Sequence, residues 1–400
     1  MASTRNSIAS KELQLVIVGP KEAFKASRVQ RLSLNGDIPS TLVYELGNSS
    51  SVGQTKDVPN VTLSFSAFDV GVKIFSALTG TDAASYPTGG VDIAQLGEMD
   101  AIIYIKSATA NDYVKSIHAR KLQIQDFSLN YSLDGEATED YTAVGSDKRM
   151  FANDIIVDKF ISGTVTYTLT QTPIQLQSGN YARSVVVDGV YLNEVTGTPG
   201  VTEYRVVGTT LTTGVARTGQ VLVVYHANPA GTNWSDVNDP LMPAAVRGKD
   251  IKISIAANQI GRVQSVTING NMNPTAVREM GNKRGIVGYT RQVPTIEGTI
   301  TVLDTDTELI NLLTYGTTTT SGVVEWGVGE GCVTSGVSLK IEIEDPCDTT
   351  YPYTVKKTIY IDSIALTGDA YSVNVNGDLS LSLNWRSTTS HLVVYSGAMA

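Results

Sequence analysis

The sequence predicts a mainly β protein: two tandem, related β-domains of sandwich or barrel type, each with one short helix, and a small β-domain inserted between them. Three observations carry this. Hydrophobic residues make up 42% of the 400 and charged residues only 17%, below the roughly 25% of an average soluble chain, with 36 glycines, a profile of ordered β-structure. Apolar residues recur at period two in short runs bounded by Gly, Asn and Asp. The chain also repeats itself: RVQRLSLNGDIPSTLVYELGN at 28–48 and RVQSVTINGNMNPTAVREMGN at 262–282 agree at ten of 21 positions.

After an arm at 1–14, the first domain is read over 15–155. The match resumes after a one-residue shift, VGQTKDVP at 52–59 against VGYTRQVP at 287–294. Val61, Leu63, Phe65 and Ala67 then alternate with Thr62, Ser64 and Ser66, and Ile296, Ile300 and Val302 alternate with Glu297, Thr299 and Thr301, which predicts two half-buried strands with polar outer faces. Asp69 and Asp304 follow as candidate helix starters, with Thr305 and Glu308 at capping-box spacing. The helices carry Val72, Ile74, Phe75 and Leu78 in one copy and Leu309, Leu312 and Leu313 in the other, ending near Gly80 and Gly316. Further on, Ile124, Phe127 and Leu129 match Ile361, Ile364 and Leu366. Asn-Gly or Asp-Gly pairs starting at Asn35, Asp134, Asn269 and Asn376 predict turns, and Leu379, Leu381, Leu383 and Trp385 alternate in the last predicted strand.

The segment 156–250 has no counterpart after the second copy. Its pattern, Val185–Val187, the turn Asp188-Gly189, Val190–Leu192, then Tyr204–Val207, Thr209–Leu211 and Val221–Tyr225, predicts a module of its own, followed by a loop over Asn228–Pro243. The second domain is read over 251–390, with a tail at 391–400. The segments from Asn35 to Lys56 and from Asn269 to Arg291 carry a hairpin signal and few large apolar residues, so they are expected to reach neighbouring subunits.

The formal charge of −9 argues against a surface that grips phosphate. No run approaches the roughly 20 apolar residues of a membrane helix, and the opening residues show no secretory pattern, so a cytosolic origin and no membrane partner are expected. Cys332 and Cys347 lack zinc spacing and read as reduced thiols. His118, His226 and His391 have no second ligand nearby in sequence, and GVGEG at 327–331 reads as a loop. The acidic pairs Glu139 with Asp140 and Glu342 with Glu344 have the residue types of a glycosidase couple. However, Glu342 and Glu344 alternate with isoleucines, as on a solvated strand face. The chain is expected to be no enzyme and to hold no cofactor and no metal.

The motif around Glu45 and Gly47, then Val58 and Pro59, an alternating strand, Asp69 and a helix ending at Thr-Gly resembles the major tail tube proteins of long-tailed bacteriophages. DGEATEDYTAVGSDKRMF at 134–151 looks like that family's closing strand region. The likeness covers both repeats. It implies a virion protein, assembled in the host cytoplasm, that polymerises into rings and a stacked tube for DNA delivery. It also implies contacts with tape measure, terminator, baseplate and possible sheath proteins, and only transient, non-specific passage of DNA. Inner tubes of contractile injection systems share the fold, and a non-viral adhesion protein of Ig-like modules fits the composition equally. On this reading Asn35, Gly36, Glu45, Gly47, Asn48, Asn269, Gly270, Glu279, Gly281 and Asn282 are inter-subunit loop residues. Thr62, Ser64, Ser66, Glu297, Thr299 and Thr301 line the channel. Three chains, each supplying two domains, would close a ring of pseudo-sixfold symmetry.

Overall fold

A computed structural model describes residues 13–26, 28–46, 48–69, 71–80, 89–106, 113–151, 155–161, 163–176, 179–227, 245–280, 286–303, 309–310, 313, 336–373 and 379–398. The first repeat holds β1 (Leu13–Val18), β2 (Ala23–Lys25), β3 (Val29–Asp37), β4 (Ser40–Val43), β5 (Gly53–Lys56) and β6 (Asn60–Phe68). It continues with α1 (Lys73–Thr79), β7 (Val91–Asp92), β8 (Glu98–Lys106), β9 (Tyr113–Ser132), β10 (Thr138–Gly145) and β11 (Asp147–Phe151). The insert holds β12 (Ile155–Ile161), β13 (Thr166–Thr168), β14 (Ala182–Val187), β15 (Val190–Tyr191), β16 (Asn193–Glu194), β17 (Glu203–Val207), β18 (Thr210–Thr213) and β19 (Gln220–His226). The second repeat holds β20 (Ile251–Ile255), β21 (Asn258–Gln259), β22 (Val263–Asn271), β23 (Thr275–Arg278), β24 (Ile286–Thr290) and β25 (Thr295–Val302). It ends with β26 (Val337–Glu344), β27 (Val355–Ser372), β28 (Ser380–Ser387) and β29 (Leu392–Ser396). The protein is mainly β, and no sheet among the described residues closes into a barrel.

Both repeats are built around one long strand shared by two ladders. The first half of β9 pairs with β8 and β11 and its second half with β10, while β27 does the same with β26, β29 and then β28. Irregularities recur at equivalent places. Strand β3 skips Gln30 against β6 as β22 skips Gln264 against β25, and β9 bulges at Gln125 as β27 bulges at Thr367. These bulges fix the alignment: Asp126 corresponds to Gly368, Leu129 to Tyr371 and Tyr131 to Val373. The expected match of Ile124, Phe127 and Leu129 with Ile361, Ile364 and Leu366 is therefore out of register by five residues. A bulge changes which residues share a face, so apolar spacing alone misplaces the partner.

Several sequence expectations need correcting here. Asn35-Gly36 and Asn269-Gly270 are not turns but lie within β3 and β22. Asp134-Gly135 does turn between β9 and β10, and Asp188-Gly189 between β14 and β15. Asp69 does not cap α1, whose first flanking residue is Val72 without a side-chain cap; it is buried and accepts from the Gly71 N–H. Gly80 ends α1 in the left-handed conformation, φ 70°, as its lack of Cβ permits. Leu309, Ile310 and Leu313 are helical and buried, while Asp304, Thr305, Glu308, Leu312, Gly316, Asn376, Cys332 and the 327–331 loop lie outside the described residues. Residues 392–396 of the expected tail form β29, which pairs with β27 and with β7 of the first repeat.

One apolar core runs through both repeats, with Phe75 of α1 edge-on to Phe127 at 6.2 Å and to Tyr141 at 5.9 Å. The insert is a sandwich of β12-β19-β14-β15 against β13-β18-β17-β16 around its own core. The other face of its first sheet, Val186, Leu222 and Val224, packs on Val16, Val18, Ile102 and Tyr104 of the first repeat. That second burial explains why β14 is buried at every position and reads as an unbroken apolar run.

Candidate functional site

The two repeats meet at a strand-to-strand joint. Strand β22 pairs antiparallel with the second half of β9, placing Val266 opposite Tyr131, Ile268 opposite Leu129 and Asn269 opposite Ser128. Ser128 Oγ donates across the joint to Asn269 Oδ1 at 2.7 Å. Gly270 lies opposite Phe127, and a Cβ there would stand 1.8 Å from the Phe127 ring, so glycine is required by close approach and not by a turn. The joint fuses the two repeats into one eight-stranded run in the order β3-β6-β10-β9-β22-β25-β28-β27.

One face of this run carries the core and the other is polar. A single ladder row crosses seven strands as Arg31, Ser66, Asp140, Ser128, Asn269, Glu297 and Arg386. The next includes Ser33, Ser64, Thr142, Asp126, Asn271 and Thr295. The six expected channel residues, Thr62, Ser64, Ser66, Glu297, Thr299 and Thr301, therefore share one continuous face, although Ser66 is buried between its neighbours. Cross-strand bonds order the face: Thr299 Oγ1 to Asn384 Oδ1 at 2.8 Å, and Thr301 with Ser382 at 3.2 Å. Its two arginines are matched by carboxylates of the same face, Arg31 with Asp140 at 3.7 Å and Arg386 with Glu297 at 2.9 Å.

Two small hairpins stand off this sheet. β4 and β5 form one, β23 and β24 the other, each a separate two-stranded ladder. Thr55 Oγ1 bonds the Thr41 carbonyl as Thr290 Oγ1 bonds that of Thr275, both at 3.3 Å. Glu45 and Asn48 lie at the first tip, where the Asn48 N–H bonds the Glu45 carbonyl, and Glu279 lies near the second; Gly47, Gly281 and Asn282 fall outside the described residues. Against the expectation of few large apolar residues, the first hairpin exposes Leu42, Val43, Tyr44 and Leu46. The second touches the first repeat, through Arg291 to the Ala94 carbonyl, and the first hairpin's base, through Arg278 to Asp57 at 3.5 Å.

Beneath the joint lies a buried ion cluster that the sequence did not announce. Lys357 of β27 reaches from the second repeat into the first, where Nζ bonds Asp69 Oδ2 at 2.8 Å and also Glu139 Oε1. Tyr131 donates to Asp69 and Tyr141 to Glu139, both at 2.8 Å, and the ammonium lies 5.4 Å from the centre of the Phe75 ring. All five polar residues are buried. Burial first, and then the Asp69 charge, push the Glu139 carboxyl above its ordinary value, against the pull of Lys357. Glu139 and Asp140 thus point to opposite faces and form no catalytic couple. Glu344, expected on a solvated face, is buried, with Lys252 Nζ 2.6 Å from its Oε1.

A second buried cluster fixes the insert. Asp100 accepts from Tyr191 at 2.8 Å, from Ser184, and from the Lys121 N–H at 2.9 Å, and lies 3.0 Å from His118 Nε2. Arg183 holds Asp147 through both NH groups, at 3.1 and 3.0 Å, with its Nε toward His118 Nδ1 at 3.3 Å. Burial keeps His118 below its ordinary pKa despite Asp100. Ser184 bonds Asp100 and not the imidazole, so the three side chains do not form a nucleophilic triad. His226 is half-buried, and His391 sits between Asp92 and Asp362, each at 3.4 Å.

Compared with known proteins, no family model matches the chain, and no curated protein sequence does. A chain of the anti-feeding prophage baseplate, seen by cryo-electron microscopy with 6-fold symmetrisation, is similar over 37% of this chain and 98% of its own, at 9% identity and a TM-score of 0.27.

Proposed function

We propose that this chain is a structural virion protein that polymerises into a phage tail tube, with the polar face of its eight-stranded run turned to the channel. The observation that carries the reading is the run itself: two repeats joined edge to edge, core on one side, and on the other a surface made mostly of Ser, Thr, Asn and carboxylates. Among the described residues, the two arginines of that face each lie beside a carboxylate of the same face, at 3.7 and 2.9 Å, which weakens its hold on phosphate and suits a conduit through which DNA must slide. The outward hairpins, with their exposed apolar side chains, supply surface for neighbours. Three chains would provide six domains to a ring, and the inner tube of a contractile injection system would ask the same of the fold. Electron microscopy of the purified chain tests this. Rings or hollow filaments with three chains per layer are expected; six identical chains per layer would end the trimer, and a monomer at high concentration would end the tube.

A further inference from the structure

We infer that one chain joins the next by pairing Gly368–Val373, an edge of β27 without a strand partner among the described residues, antiparallel against β3 of its neighbour, in the register of the internal joint. This deepens the tube reading and rests on it. The internal joint unites the counterparts of those two segments, since β22 corresponds to β3 and the second half of β9 to the end of β27, with bulges at matching places. Carrying its register over puts Leu34 opposite Tyr371, Leu32 opposite Val373 and Asn35 opposite Ala370.

Burial marks these edges as unfinished. Leu129 and Tyr131, inside the internal joint, are 0% and 3% exposed, whereas their counterparts Tyr371 and Val373 are 57% and 65% exposed. Val266 and Ile268 are buried, while Leu32 and Leu34 at the same positions of β3 are only half-buried. Face parity gives an independent check. In this register Leu34 meets Tyr371 and Leu32 meets Val373 on the core side, where Gly36 faces Asp369 beyond them, and Ser33 meets Ser372 on the polar side; a slip of one residue would put Leu32 and Leu34 opposite residues of the polar face. The edge of β3, bare among the described residues, is guarded in the single chain, because Lys148 Nζ bonds the Leu34 carbonyl at 2.9 Å. The residue matching Lys148 in the second repeat is Leu392, which is buried.

The outer joint differs from the internal one in its polar residues, with Asp369 standing where Phe127 stands. Leu381 and Leu383 stand where Glu139 and Tyr141 stand, and Val373 replaces Tyr131, so the buried cluster under the internal joint is not reproduced; the counterpart of Asp69 lies outside the described residues.

Cysteine pairs test the register, in a chain whose Cys332 and Cys347 are replaced by serine. Within one chain Ser33 and Ser372 sit at opposite ends of eight strands, roughly 34 Å apart at ~4.8 Å per step, so a disulfide between them must join two chains. The double variant Ser33→Cys with Ser372→Cys is expected to cross-link into multimers at least tenfold more than the shifted pair Ser33→Cys with Ala370→Cys. Asn35→Cys with Ala370→Cys is a second in-register pair should the first fail to fold. Rings that form while only the shifted pair cross-links, or while neither pair does, would overturn this joint and leave the tube reading standing. Absence of any ring or multimer would overturn both.

Discussion

The two buried polar clusters hold two different seams, and they balance charge differently. Under the repeat joint, one ammonium faces two carboxylates, Asp69 and Glu139, with two tyrosine hydroxyls in support. Under the insert, Asp100 meets a fuller set of donors, and Asp147 is clasped bidentately by Arg183. The first seam hangs on a single side chain; the second is spread over several. A joint built on one buried cation is specific, since among the described residues Lys357 alone answers both carboxylates, and it is also brittle.

The largest effect should come from Lys357→Met. It leaves two carboxylates buried without their counter-charge, at a cost of about 3–5 kcal/mol. A denaturation midpoint should fall accordingly, and hydrogen exchange at Leu129 and Ile268 should rise before that at Val223 in the insert. A loss below about 1 kcal/mol would show that the cluster does not hold the joint. Asp100→Asn comes next, at about 2 kcal/mol, because charge-assisted bonds become neutral ones while the shape is kept. Here the early exchange should be at Val186 and Leu222, on the insert's docked face.

Glu139→Gln separates the seams by pH. The folded-state value of Glu139 is raised above its ordinary 4.5, so its contribution is fully present below that value and is lost as pH rises through the raised one. A fixed neutral amide escapes the loss. The variant should therefore gain on the parent as pH rises above about 5, by at most about 1.4 kcal/mol per unit. A difference independent of pH would mean that Glu139 stays charged throughout.

Much of this architecture was legible in the sequence, because duplication and period-two alternation are local or self-referring signals. The polar faces of β6 and β25 and the helix ending at Gly80 could be read from them, while the hairpins were found in the expected segments but not at the expected Asn-Gly turns. Asn-Gly misled at Asn35 and Asn269 because glycine serves close approach as well as turns: Gly270 makes room for a ring contributed by another strand. Lys357 gave no signal at all. It lies in an ordinary strand, VKKTIYID, and its partners are 288 and 218 residues away in sequence. The insert's attachment was equally hidden, since the Val185–Val187 run reads the same whether a strand is covered on one face or two.

The finest comparison removes one hydroxyl from each seam. Tyr131→Phe takes a donor from Asp69 where negative charge is already in excess, and buried surroundings offer no water to replace it, so a cost of about 2 kcal/mol is expected. Ser184→Ala also takes a donor from a buried aspartate, and it leaves Arg120 Nε without the Ser184 oxygen 3.0 Å away. Yet Asp100 keeps Tyr191, the Lys121 N–H and His118, and Arg120 is only partly buried, so about 1 kcal/mol is expected. Paired urea denaturation curves measure both. The order of the two losses is the decisive reading, because it depends on redundancy of donors and not on the strength of any one bond. Equal losses, or a greater loss at Ser184, would mean that the insert seam is as brittle as the joint.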